Sequence, residues 1–325
     1  AIQRLLAPLC LTLVAAAAAA DDAAILRAAW DRAESRDYAE ARALAARARD
    51  PVVADLVRWR RLLREEGDFA EYLAHLAAHP DWPGAASIRA DAERAMPPLP
   101  PAEVLAFFAE RAPLTGSGAI RYAEALAARG RAPAADAQIA RIWRGTPLTR
   151  GERERIEAGW PAIARRRAAD RLDAMLWAGE AEQARAVLHL VGPAWRALAE
   201  ARIALRVRTP GVDGLIARIP DALMADPGLA YERFVWRDRA GLEDTALELL
   251  LERSTSAEAL GRPGAWADRR IAFVRELDRA GRARLAYAVA SRHFTTPEIG
   301  YDHAELEWLA GWIALRRLND PAAAE

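Results

Sequence analysis

From Asp21 almost to the end of the chain, apolar residues return every three or four positions, and this spacing constrains the fold more than any other feature. It is plain in DAAILRAAWDRAESRDYAEARALAARAR (22–49) and again in AIRYAEALAARG (119–130). Such a period places the apolar residues on one face of a helix. Alternation with a period of two, carried by β-branched residues, is scarce. The chain is therefore expected to be all-α. About a quarter of its residues are alanine, the strongest helix former.

The breaks between helical stretches are short. Gly67 in EEGDF, Gly130 in ARGRA, Gly179 in WAGEA and Gly281 in RAGRA are each placed to close one helix and admit another within a few residues. Short turns force neighbouring helices into antiparallel pairs. A pair cannot bury both of its faces and must stack on the next. The four glycines share no period, so the expectation is an irregular right-handed α-solenoid, a superhelix of antiparallel pairs built in the tetratricopeptide-like manner without consensus repeats. Proline-rich loops, MPPLPPAE at 96–103 and TPGVDG at 209–214, are expected to interrupt the stack.

Charge narrows the partners. The 46 basic residues, all of them arginine, balance 46 acidic ones. With no net charge and no basic block, the chain lacks the electrostatic footprint of a nucleic-acid-binding protein. Its 53% hydrophobic residues are enough for a sizeable core.

The first 20 residues read differently from the rest. One arginine, an apolar run from Leu5 to Val14, and small residues ending in Ala18-Ala19-Ala20 before Asp21-Asp22 have the layout of a secretory signal peptide, cut between Ala20 and Asp21. The expected organisation is thus a signal peptide at 1–20 and a helical, non-catalytic domain at 21–325, located in the periplasm. The sole cysteine, Cys10, falls in the leader. The remainder is cysteine-free, which suits an oxidising compartment.

Near the end, YDHAELEWLAGWIALRRLNDP (301–321) combines two tryptophans with a dense apolar run. Asp302 and Glu305 resemble a capping box, and Arg316 and Arg317 sit where the helix dipole favours cations. At 100° per residue, Leu306, Leu309, Ala310 and Ile313 form one stripe; Ala304, Trp308, Trp312 and Leu315 form another on the far side. A helix apolar on two faces is expected between two neighbours. The run from Trp308 to Leu315 is far short of the ~20 residues of a membrane span, so no transmembrane segment is expected in the mature chain. Asp320-Pro321 has the form of a helix start. The sequence therefore reads as truncated within its next helix.

Motifs that carry chemistry are few. His75 and His79 have the i, i+4 spacing of a helical metal pair with Asp81 close by, but Leu76 stands where the zinc-protease pattern needs Glu. Two histidines in a last turn are accounted for as dipole partners. Gly116-Ser117-Gly118 before a helix could present amides to an anion, yet no strand precedes it and Arg121 stands where a dinucleotide fingerprint needs Gly. Glu305 and Glu307 lie beside tryptophans, but acids at a helix start are ordinary complements of the dipole. No nucleophile elbow is present. The sequence assigns no catalytic or metal-ligating residue, implies no cofactor and leaves the binding residues unassigned. Eleven tryptophans recur along the chain. Indoles can stack on sugar rings, although packing between helices is expected to claim most of them.

Five blocks together resemble a known family: HPDWPGAASIRADAERAM (79–96), FFAERAPLTGSGAIRYAEALAARGR (107–131), RLDAMLWAGEAEQARAVLHLV (171–191), ALAEARIALR (197–206) and above all the 301–321 stretch with AELEWLAGW. They resemble the N-terminal superhelical region of soluble lytic transglycosylases. That resemblance implies a periplasmic enzyme family that cleaves peptidoglycan between N-acetylmuramic acid and N-acetylglucosamine, leaving 1,6-anhydromuramyl ends. It also implies a curved or ring-shaped helical part and a separate lysozyme-like domain carrying one catalytic Glu. The Glu-Ser-x-Phe, Gly-Leu-Met-Gln and Ala-Tyr-Asn-Ala-Gly segments of that domain do not occur in these 325 residues. The expected role is to guide or enclose glycan strands, with peptidoglycan and other cell-wall proteins as partners. The alternative is a periplasmic helical-repeat scaffold for protein–protein interaction.

Overall fold

A computed structural model describes residues 21–324. The signal-peptide reading, its cleavage site and Cys10 lie outside the described residues. Within them every regular element is an α-helix or a short 3-10 turn, and no strand occurs. No described helix is long and apolar enough to cross a membrane.

Local chemistry sets the helix boundaries. Asp68 and Glu71 make a complete capping box at the start of Phe69–Ala78, as do Thr149 and Glu152 at Arg150–Gly159. Asp37, Thr115, Asp226 and Ser256 each accept a backbone N–H in the first turn of the helix that follows. These side chains satisfy donors that a helix start leaves unpaired.

Three of the four punctuating glycines act as the sequence predicts. Gly130, Gly179 and Gly281 adopt the left-handed backbone that terminates a helix, with φ of 73°, 81° and 73°. Gly67 does not. The left-handed residue there is Glu65, and Gly67 instead leaves room for Leu62 and Tyr72, whose hydroxyl accepts the Gly67 N–H at 3.1 Å. The proline-rich stretches each run into a helix start, 96–103 into Pro101–Phe107 and 209–214 into Val212–Ile216.

The chain forms two compact units. The first holds residues up to Ile142 together with Leu148–Trp160. Its core runs through Ala29, Val53 and Val57, then Leu62, Tyr72 and Ile88, then Met96, Val104 and Phe108. The second holds Trp143–Pro147 and everything from Pro161 onward. One of its core clusters joins Phe234, Leu250, Trp266, Val274, Val289, Leu306 and Ile313. Helices pack chiefly on their sequence neighbours: Ala267–Arg279 on Ala283–Ser291, and that helix on Tyr301–Arg317.

Arginine is part of the second unit's interior. Arg171, Arg202 and Arg270 are almost wholly buried. Arg171 donates to the carbonyls of Trp143 at 2.6 Å and Thr146 at 3.0 Å. Arg270 donates to the Val289 carbonyl and the Ser254 hydroxyl, each at 2.7 Å. Burial without a carboxylate brings the Arg270 pKa down to about 10. A guanidinium with five donors can tie carbonyls at several helix ends at once, which a lysine could not.

Candidate functional site

The helix Tyr301–Arg317 buries Leu306, Leu309, Ala310, Ile313 and Ala314, the first stripe seen in the sequence. Its second stripe is covered only in part: Trp312 is half-buried against the core, while Ala304, Trp308 and Leu315 are exposed. Trp308 is 62% exposed, Leu315 50% and Tyr301 75%. Among the described residues the expected burial of both stripes is therefore complete for the first and partial for the second, where Trp312 packs against the core and Trp308 and Leu315 do not. Trp308 is the one tryptophan classed as exposed among the described residues, whereas Trp143 and Trp266 are fully buried. Trp308 and Trp312 stack at 6.1 Å and 21°. The Arg317 guanidinium lies 4.7 Å from the Trp312 ring and is held in place by Asp278 at 2.8 and 3.1 Å. The result is a fixed, flat aromatic face with polar edges, the kind of surface that receives a partner with both apolar and polar sides.

Beside the start of this helix, four side chains form one hydrogen-bonded array. The Thr295 N–H donates to His293 Nδ1 at 3.0 Å, and the Thr295 hydroxyl lies 2.6 Å from the same nitrogen. A ring nitrogen that accepts a backbone N–H carries no proton. Neutral His293 therefore holds its proton on Nε2 and donates it to Glu307 Oε1 at 3.1 Å. The Thr295 hydroxyl donates to His293, and its oxygen accepts from His303 Nδ1 at 3.1 Å. The chain of donors thus runs His303 to Thr295 to His293 to Glu307. Burial lowers the His293 pKa, and the Glu307 carboxylate opposes that shift.

The donor atoms of His293, His303 and Glu307 lie within 4.8 Å of one another, close enough to face one cation. The direction of the hydrogen bonds argues against that use. A metal on His293 Nε2 requires Nδ1 to donate a proton outward, and the Thr295 N–H already points at Nδ1. The array fits a hydrogen-bonded tie between the 293–295 segment and the helix better than a metal site. The i, i+4 spacing of His303 and Glu307 is a signal the sequence offered. The His293–Thr295 half depends on a left-handed bend at Phe294, φ 54°, which no motif announces.

The candidates weighed in the sequence take other places. Glu305 pairs with Arg275, and Glu307 holds His293. Asp302 is not an N-cap: the helix starts from Gly300, whose φ of 75° no side-chain cap accompanies. His75 and His79 do approach, with ring centres 5.1 Å apart, but they join Trp82, on which His79 stacks at 4.1 Å. The carboxylate that faces His79 belongs to Asp55, at 3.4 Å, not to Asp81. His75 is buried with neither ring nitrogen paired, and burial lowers its pKa.

The amides near Gly116 receive an anion from within the chain. The buried Glu93 carboxylate accepts the N–H of Leu114 at 3.0 Å and both the N–H and hydroxyl of Thr115 at 2.8 Å. A Cβ at Gly118 would overlap that carboxylate, which accounts for the glycine.

Comparisons with protein-family models, with curated proteins and with solved structures found no match for the chain.

Proposed function

We propose that the chain is the helical, non-catalytic part of a periplasmic lytic transglycosylase, and that its helix pairs stack as a right-handed, tetratricopeptide-like superhelix guiding glycan strands toward a separate lysozyme-like domain. The observation that carries this reading is the Trp308–Trp312 face, stacked at 6.1 Å on the same AELEWLAGW helix that bears the strongest family resemblance. Paired indoles on a rigid helix suit the apolar face of a pyranose ring, while the exposed Arg316 stands near for its hydroxyls or for stem-peptide carboxylates.

The distribution of carboxyls supports a non-catalytic role. Glycoside cleavage of this kind needs one acid with a raised pKa facing the substrate. Burial raises Asp91, Asp226 and Glu232, yet each is held by an arginine of the fold: Arg94, Arg202 and Arg206 respectively.

A second reading rests on the same face. Tyr301, Trp308 and Leu315 also suit an apolar protein partner, as in a helical scaffold. Retention on purified glycan strands separates the two. The glycan reading predicts retention that falls at least tenfold in Trp308→Ala with folding unchanged, since Trp308 is exposed. Equal retention of the variant, or none by the parent chain, overturns it.

A further inference from the structure

The first unit contains a cavity of about 240 Å³ whose walls come from the helices Tyr38–Ala45, Val52–Leu62 and Phe69–Ala78. We propose that it binds a small monocarboxylate bearing a short apolar tail, the chemistry of an acylated alanine or of a peptide ending in one. This proposal does not depend on the glycan reading.

Charge sets the class of ligand. Arg42, Arg58 and Arg61 line the cavity. Arg58 is paired with Asp55 at 3.0 Å and Arg61 with Glu71. Arg42 has no carboxylate partner among the described residues, so of the three lining guanidiniums it is the one whose positive charge no ion pair offsets. That surplus matches a monoanion and is too small for a phosphate dianion. An arginine fork also meets the two oxygens of a carboxylate in one plane.

Two further features mark the cavity as a place for a ligand with polar and apolar ends. Tyr38 lines it, is more than nine-tenths buried, and has a hydroxyl without a hydrogen-bond partner. Arg61 Nε is likewise buried without one. Buried donors without partners are rare in native proteins and call for an explanation. Ala45, Ala54 and Val57 supply small apolar wall that suits a short apolar tail. At roughly 30 Å³ per water molecule in the liquid, the space admits several heavy atoms beyond the carboxylate.

The test uses the full chain and N-acetylalanine as the probe, with binding followed by calorimetry and by amide chemical shifts. N-acetylalanine is expected to bind and to shift the amides of residues 38–61. N-acetylalaninamide, which lacks the charge, and inorganic phosphate, which lacks the tail, are expected to bind at least tenfold more weakly. Arg42→Gln, at an exposed position whose loss leaves the fold intact, is expected to lose at least tenfold in affinity; Arg58→Gln is the second variant. A tetrapeptide ending in alanine separates the sources: tighter binding than N-acetylalanine points to a peptide terminus, equal binding to a free acid. Equal binding of acid and amide, equal binding of phosphate, or an unchanged Arg42→Gln overturns the proposal.

Discussion

Two polar regions of the first unit deal with charge in opposite ways. At Gly116 the amides of a helix start are met by Glu93, a carboxylate from the same chain, and the site is closed by its own anion. At Tyr38 the arginines outnumber their carboxylates, a phenol is unpaired, and about 240 Å³ of space remains. The first arrangement is structural and the second is built for a guest. A glycine-flanked helix start is therefore a poor guide to a ligand until the interior has been searched for an acid that fills it.

The largest effect expected from breaking this comparison lies at the closed site. Glu93→Ala would leave the Leu114 and Thr115 donors buried without an acceptor and should cost about 3 kcal/mol or more in chemical denaturation. Gly118→Ala, which drives a methyl group into the fixed carboxylate, should cost about 1–3 kcal/mol. A loss below about 0.5 kcal/mol in both would show that the carboxylate does not hold this helix start. At the open site, by contrast, Arg42→Gln should change stability by no more than about 0.5 kcal/mol while removing carboxylate binding.

A further effect tests how a buried histidine behaves when neither ring nitrogen has a hydrogen-bond partner. Burial holds the His75 pKa below its ordinary value, so the unfolded chain takes up a proton more readily than the folded one. Stability from this group is complete above the unfolded pKa of about 6.5 and is lost as pH falls through that value toward the lower folded one. Urea midpoints at pH 7.5 and 5.5 should differ less in His75→Phe than in the parent. An identical pH dependence in both would contradict the assignment. His293 should act in the same direction, with the Glu307 carboxylate opposing the effect of burial.

The features legible in the sequence were those set by neighbours along the chain. The 100° stripe of Leu306, Leu309 and Ile313 is buried as its spacing requires, and Gly130, Gly179 and Gly281 end helices because a left-handed residue is needed there. Features set by distant residues were not. Glu93 lies 21 residues before Leu114, and nothing local marks it as that amide's acceptor. Nothing in the sequence marks Arg171, Arg202 and Arg270 as interior, yet they are buried, because the fold brings carbonyls to Arg171 and Arg270 and the Asp173 and Asp226 carboxylates to Arg202. The His293–Thr295–His303 array needed the bend at Phe294, and the cavity at Tyr38 needed three helices at once.

The proposed role is tested most directly by incubating the full chain with purified peptidoglycan sacculi, then measuring bound protein and released anhydromuropeptides together. A glycan-guiding, non-catalytic helical region predicts that the protein is retained on the sacculi and that no anhydromuropeptide is released. Release of anhydromuropeptides, or failure of the protein to bind, would contradict it.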